Sequence, residues 1–202
     1  MSLFKRFAYL MSTVGFSAFS FLAYSPLAHA NSYPGGNWKL TFYTPVSHTD
    51  SSQEVYTVNP DGTDLQRITT DTVQEANPQW SPDMSNRKIA INMDTDETTG
   101  EDWGLFVKSI TSSGAGTGSL TAFSGASVAD VNEWDPSWSP DGTTIAFHRQ
   151  TQGDTGPNHI HTIASTGTPT ATALTSGDTN KDTEPTWNKE GTKLTFTRTN
   201  TS

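Results

Sequence analysis

Asp135-Pro136-Ser137-Trp138-Ser139-Pro140-Asp141-Gly142, followed by Thr144-Ile145-Ala146-Phe147, decides the fold because it occurs three times. An upstream copy reads Asn77-Pro78-Gln79-Trp80-Ser81-Pro82-Asp83, with Lys88-Ile89-Ala90-Ile91 behind it. A downstream copy reads Glu184-Pro185-Thr186-Trp187-Asn188-Lys189-Glu190-Gly191, with Lys193-Leu194-Thr195-Phe196 behind it. Self-similarity at a fixed period marks a repeat architecture.

Outward from these copies, Tyr33 to Ser202 alternates apolar with polar residues, broken about every ten residues by Gly, Pro, Asn and Asp clusters, the pattern of short antiparallel strands. Asn59-Pro60-Asp61-Gly62 shows how the chain turns: Pro presets one φ, Asp bonds its own backbone and Gly accepts positive φ. Four strands per repeat are expected. The first holds Trp80, Trp138 or Trp187; the second holds Ile89, Ile145 or Leu194, with Leu40 as an earlier instance; the third holds Tyr56, Phe106 or His161; the fourth ends in Ile68-Thr69, Leu120-Thr121 or Leu174-Thr175. Leu40, Ile89, Ile145 and Leu194 are separated by 49, 56 and 49 residues. So even a spacing of short strands predicts an all-β fold of β-propeller blades rather than a sandwich.

The count is thirteen strands, a little over three four-stranded antiparallel blades, whereas propellers close with about four to eight. An incomplete or open propeller is therefore expected, with apolar side chains wet at each open face. Three or four such side chains at roughly 1.5–3 kcal/mol apiece amount to on the order of 5–10 kcal/mol per face, against a typical total stability of about 5–15 kcal/mol. Two expectations follow: a homo-oligomer in which a second copy completes the propeller, or a truncated remnant of a longer one.

Residues 1–30 stand apart in composition. Lys5 and Arg6 precede an apolar run that ends at Ala28-His29-Ala30, which reads as a signal peptide. Ser12, Thr13, Gly15, Ser17 and Ser20 interrupt the run, short of the ~20 continuous apolar residues of a membrane span. The mature chain, 31–202, is then a single repeat domain in the periplasm or secreted, with no membrane span after signal removal. Losing two basic and no acidic residues moves its net charge from -9 to -11. With no basic patch, nucleic acid is not an expected partner. The absence of cysteine excludes disulfides, thiolate metal sites and thiol nucleophiles.

At Pro136-Ser137-Trp138-Ser139-Pro140-Asp141-Gly142, and in weaker form at Pro78 to Asp83, at Pro185-Thr186-Trp187 and at Asn59 to Gly62, the chain resembles the WD-like repeat of the TolB-like β-propeller family. The resemblance covers roughly residues 36–198. It implies radial blades whose first strand is innermost. Its members carry six blades and a separate N-terminal α/β domain, which these 202 residues do not supply. The copies have also diverged: Met84-Ser85-Asn86 replaces the turn glycine in one, and Asn188-Lys189-Glu190 replaces Ser-Pro-Asp in another.

Just before each first strand stand Glu75 and Asn77, Glu133 and Asp135, Asp182 and Glu184. If first strands line a channel, these acids converge at its mouth and focus negative potential on a cationic peptide segment or a metal ion. The structural reading is that they bond backbone amides and fix the crossing between blades. Glu75, Glu133, Asp135, Asp182, Glu184 and Trp134 are the expected binding residues, for a protein or peptide partner in a non-enzymatic module. Trp103, like Trp134, lies off the repeat and is a second candidate surface aromatic.

His148, His159 and His161 define the competing class, a metal-dependent lyase or hydrolase, since the resemblance extends to propeller lyases with His-rich metal sites. His161 replaces Tyr56 and Phe106, which favours packing instead. Asp178-Thr179-Asn180-Lys181-Asp182 has the alternate oxygens of a calcium loop but lacks its glycine and bidentate glutamate; Asp94, Asp96, Glu97, Glu101 and Asp102 form an acidic, solvated loop. No cofactor is expected, calcium or a transition metal being the exceptions to test. No catalytic residue is assigned, since nucleophile elbow, phosphate loop and His-Glu-x-x-His patterns are all missing from the mature chain.

Overall fold

A computed structural model describes residues 39–44, 53–70, 72–83, 85–95, 102–123, 131–151, 156–167 and 169–200. Thirteen strands and no helix are found among them. The proposed signal peptide, Met84 and the loop residues 96–101 and 124–130 lie outside the described residues.

Strands β1 (Leu40–Tyr43), β2 (Val55–Val58) and β3 (Gln66–Arg67) form a three-stranded sheet, and β4 (Glu75–Trp80), β5 (Lys88–Asp94), β6 (Trp103–Ile110) and β7 (Gly116–Ala122) a four-stranded one. Next come β8 (Val131–Trp138), β9 (Thr144–Thr151), β10 (Asn158–Ala164) and β11 (Thr172–Ala173), then the pair β12 (Lys181–Trp187) and β13 (Leu194–Thr199). Pairing within each group is antiparallel and runs in chain order. A single parallel bridge, Asn158 to Lys181, ties β12 to β10. The order is the one the repeat predicts: three strands, two sets of four, then two. Among the described residues no pairing joins β13 to β1, so no ring closes.

The turn chemistry explains why the copies fold alike despite divergence. In the first two copies a serine hydroxyl closes the turn: Ser81 Oγ accepts from Lys88 N at 3.0 Å and Ser139 Oγ from Thr144 N at 2.9 Å. Asn188 Oδ1 does the same for Lys193 N at 2.8 Å, so the third copy keeps the bond with a different side chain. The turn aspartates Asp83 and Asp141 accept from Ser85 and from Ser139 and Thr143, which holds both carboxyls below the usual range. Gly142 (φ 73°) and Gly191 (φ 68°) take left-handed conformations open to glycine at no steric cost. A Cβ at Gly142 would lie 3.3 Å from Pro82, and one at Gly191 3.4 Å from Pro140, so each turn rests on the proline of the preceding copy.

Alternation along the strands gives the inner sheets two apolar faces, and the core lies between sheets. Val55, Ile68, Trp80, Ile89, Ile91 and Ile110 fill one layer, between the first two sheets. Ala90, Leu105, Phe123, Ile145, Phe147 and Ile163 fill the next. Trp138 Nε1 donates to Gln79 O at 3.2 Å, and Trp187 Nε1 to Ser137 O at 3.1 Å. Each indole thus reaches the carbonyl just before the tryptophan of the preceding sheet, the same contact made twice.

Among the described residues the expected wet apolar faces are largely absent, Phe196, 37% exposed, being the exception. Tyr56 and Val58, on the far side of the first sheet, are buried. At the other end the outward face of β12 and β13 carries Thr183, Thr186, Thr195, Thr197 and Thr199. The positions matching Thr195 in the inner sheets are the fully buried Ala90 and Ala146. A face of threonines exposes little apolar surface, so the penalty of several kcal/mol that an apolar face would carry does not arise there.

Candidate functional site

The acid pairs lie inside the first strands rather than before them, because β4, β8 and β12 start earlier than the tryptophan motif suggests. Each is interrupted by a register shift, between Ala76 and Gln79, Trp134 and Ser137, and Thr183 and Thr186. Such bulges bend a strand and re-aim its side chains, and they accommodate proline, which cannot donate to a ladder. The residue before each proline is left-handed: Asn77 (φ 48°), Asp135 (φ 54°) and Glu184 (φ 54°). A non-glycine residue held there costs on the order of 1–3 kcal/mol, and the same strain is kept at three equivalent positions.

The bulge splits each pair into an inner and an outer member. Glu75, Glu133 and Asp182 are fully buried. Glu133 Oε1 accepts from Arg149 Nε at 3.0 Å and Nη2 at 2.8 Å, while its Oε2 accepts from Leu105 N of the neighbouring sheet at 3.2 Å. Burial pushes its pKa up to about 7, against the opposing pull of Arg149 and the Leu105 amide. Asp182 receives Arg198 at 2.6 and 2.7 Å, and that guanidinium holds its carboxyl below the usual range despite burial. Each arginine follows its acid by 16 residues and faces it across the strand pair. That repeated spacing is the sequence signal that points to Arg149 and Arg198.

The outer members meet neighbouring strands near the innermost edge. Asn77 Nδ2 donates to Asp135 Oδ1 at 2.9 Å, linking the bulges of β4 and β8. Asn92 clamps the second bulge from the sheet before it, donating to Glu133 O at 2.7 Å and accepting from Asp135 N at 3.2 Å. His148 Nδ1 lies 3.3 Å from Asp135 Oδ2. Burial, followed by the charge of Asp135, raises the pKa of Tyr43 on β1. Asp135 nevertheless keeps 31% of its side chain exposed, and Glu184, exposed, accepts from Thr197 Oγ1 at 3.2 Å.

Trp103 and Trp134, far apart in the chain, come together with ring centroids 4.5 Å apart at 31°. Trp103 is buried and Trp134 half-buried. Asn132 Oδ1 accepts from Trp103 N at 3.0 Å and fixes the pair across two sheets.

The three histidines do not form one cluster. His159 and His161 lie opposite Arg149 and Phe147 on one face, whereas His148 lies opposite Ile160 and Trp134 on the other. The expectation of a three-imidazole site is corrected by this register: an odd separation on paired strands reverses the face. His161 stacks on Phe147 at 5.9 Å, and burial, then the charges of Arg149 and His159, lowers its pKa to about 4. Among the described residues no group of three or more His, Cys, Asp or Glu is arranged to hold a metal ion. In the calcium-like stretch, Arg198 engages both Asp178, at 3.4 Å, and Asp182, so a cationic side chain already serves those carboxylates.

No protein-family model matches the chain, and no curated protein sequence matches it. Solved structures do. A protein from Agrobacterium tumefaciens described as TolB is similar over 82% of this chain and 51% of its own, at 17% identity and a TM-score of 0.57. An oligogalacturonate lyase from Vibrio parahaemolyticus is similar over 78% of this chain and 43% of its own, at 14% identity and a TM-score of 0.53. An endo-arabinase from Bacteroides thetaiotaomicron is similar over 83% and 67%, at 12% identity and a TM-score of 0.52. The chain thus spans about half the length of the first two. At such identities the likeness shows the fold alone, an all-β propeller-type array shared by TolB-like proteins and by propeller enzymes.

Proposed function

We propose that this chain is an exported, non-enzymatic binding module that takes a cationic protein or peptide segment at the inner edge of its sheets. The supporting observation is the repeated left-handed bulge. It buries Glu133 and Asp182 in arginine pairs that position the strands, and it leaves the carboxylates of Asp135 and Glu184 accessible. Trp134, half-buried and next to Asp135 in the chain, adds an apolar surface for the aliphatic stems of lysine or arginine. A net charge of -9 over the full chain favours the encounter with a cationic partner.

The test is calorimetric titration of lysine- and arginine-rich peptides into the protein at low salt, comparing it with an Asp135→Asn, Glu184→Gln variant. Binding at least tenfold weaker in a variant with an unchanged melting curve is expected; equal affinity refutes the reading. The competing proposal is a metal-dependent lyase or hydrolase, for which His159 and His161 remain on one face. Metal analysis, with melting curves taken with and without chelator, separates the two: a bound transition metal whose removal lowers Tm favours the enzyme.

A further inference from the structure

Three sheets fill one repeat position differently. Tyr43 lies opposite Val55, Asn92 opposite Leu105 and His148 opposite Ile160, each on the second strand of its repeat. Asn92, fully buried, closes the β8 bulge with both ends of its amide, donating to Glu133 O at 2.7 Å and accepting from Asp135 N at 3.2 Å. An amide carries no charge at any working pH. An imidazole does, and histidine is the side chain whose charge ordinarily changes between about pH 5 and 8.

His148 is 6% exposed. Its Nδ1 is buried, makes no hydrogen bond and lies 3.3 Å from Asp135 Oδ2, while the other oxygen of that carboxylate accepts from Asn77 Nδ2 at 2.9 Å. β9 packs against β8, β10 and β12. On β8, Trp134 stands opposite His148, the adjacent acid is Asp135, and Glu133 turns to the other face with Arg149. On β10 the opposite residue is Ile160, and His159 and His161 lie on the other face. β12 brings Lys181, Asp182, which Arg198 already engages, and Glu184, which accepts from Thr197. Tyr43 of β1, itself partly desolvated, also lies within the field of Asp135.

We propose that His148 is a built-in competitor for Asp135, which releases the cationic segment from the inner edge when the pH falls. A proton on the imidazole turns the 3.3 Å approach into a charge-assisted hydrogen bond from Nδ1–H to Oδ2. It also cancels the carboxylate charge on which the partner depends. With the ring neutral, Asp135 meets the partner with its charge intact, held in place by Asn77 and Asn92. Cation binding and protonation of His148 then oppose each other to the same extent. The inference rests on the proposed cation-binding role of Asp135 and adds its regulation.

Calorimetric titration of an N-acetylated oligoarginine peptide, whose charge is constant from pH 5.5 to 8, compares the unmodified chain with His148→Asn, which copies the residue of the preceding sheet. The expected result is an affinity about tenfold lower at pH 5.5 than at pH 8 in the unmodified chain, and a clearly smaller fall in the variant. An equal fall in both, or no fall in the unmodified chain, overturns the inference and leaves the binding reading standing. No binding at either pH overturns both. A second measurement needs no substitution: the ring nitrogen-15 shifts of His148 at pH 6 report its protonated fraction, and saturating oligoarginine is expected to lower it. A fraction that the peptide leaves unchanged or raises overturns the inference even where the affinities follow the expected pattern.

Discussion

The complete sheet β8–β11 and the strand pair β12–β13 carry the same local pattern but live in different surroundings. Ile145, Phe147 and Arg149 of the one correspond to Leu194, Phe196 and Arg198 of the other, and in each an arginine lies over the phenylalanine ring, at 5.5 and 5.6 Å. Phe147 is wholly buried where Phe196 is 37% exposed; Arg149 is 16% exposed where Arg198 is 40%. The third strand supplies the difference: His161 and Ile163 of β10 cover Phe147 and Ile145, and no strand occupies that position beside β13 among the described residues. Identical patterning therefore produces a core in one place and an edge in the other.

The comparison predicts its largest effect at the two phenylalanines. Phe147→Ala opens a cavity and is expected to cost about 3–5 kcal/mol, whereas Phe196→Ala should cost roughly 1 kcal/mol, since part of its surface is already in water. Urea unfolding at low protein concentration measures both, and equal losses would break the comparison.

A somewhat smaller contrast is expected at the arginines. Arg149→Ala strands a buried carboxylate, with a loss of about 3–5 kcal/mol above neutral pH. Arg198→Ala is expected to lose clearly less, because water reaches the place its guanidinium leaves. At pH 5 the Arg149→Ala loss should shrink as Glu133 takes up a proton. A loss that does not change with pH would assign the effect to packing.

The smallest contrast lies in the titration of the two acids. Glu133 titrates near 7 in the folded chain, above its ordinary value, so the folded state binds more protons than the unfolded one between roughly 4.5 and 7. Its contribution is fully present below the unfolded pKa and is lost as pH rises through 7, on the order of 3 kcal/mol at most. Asp182 runs the other way: its pKa is lowered, so its contribution is present above the unfolded value and lost as pH falls through the folded one. Glu133→Gln should therefore flatten the decline in stability from pH 5 to pH 8, read by urea midpoints. An unaltered decline would place its origin elsewhere.

Much of the architecture was legible because the repeat is carried by residues with mechanical roles. Trp138 and Trp187 reach the preceding sheet, Gly142 and Gly191 take left-handed turns, and the alternation around Ile89, Ile145 and Leu194 sets the faces. Asn188, read as a departure, makes the bond that serine makes elsewhere. The candidate site was only half legible. The acids recur in register, but burial of Glu133 and Asp182 depends on arginines 16 residues on, and the accessibility of Asp135 and Glu184 depends on a bulge. His148 was grouped with His159 and His161 by sequence nearness, and only the pairing register shows the opposite face. The polar end was missed because Thr195 and Thr197 satisfy a strand pattern equally well inside or outside.

The central claim, that successive sheets repeat one contact around a common inner edge, is tested most directly by nuclear Overhauser spectroscopy of the tryptophan indole protons in isotope-labelled protein. The account predicts two matching sets of cross-peaks, from Trp138 Hε1 to the Gln79–Trp80 backbone and from Trp187 Hε1 to the Ser137–Trp138 backbone. Cross-peaks from either indole to some other pair of strands, with these sets missing from a folded sample, would contradict it.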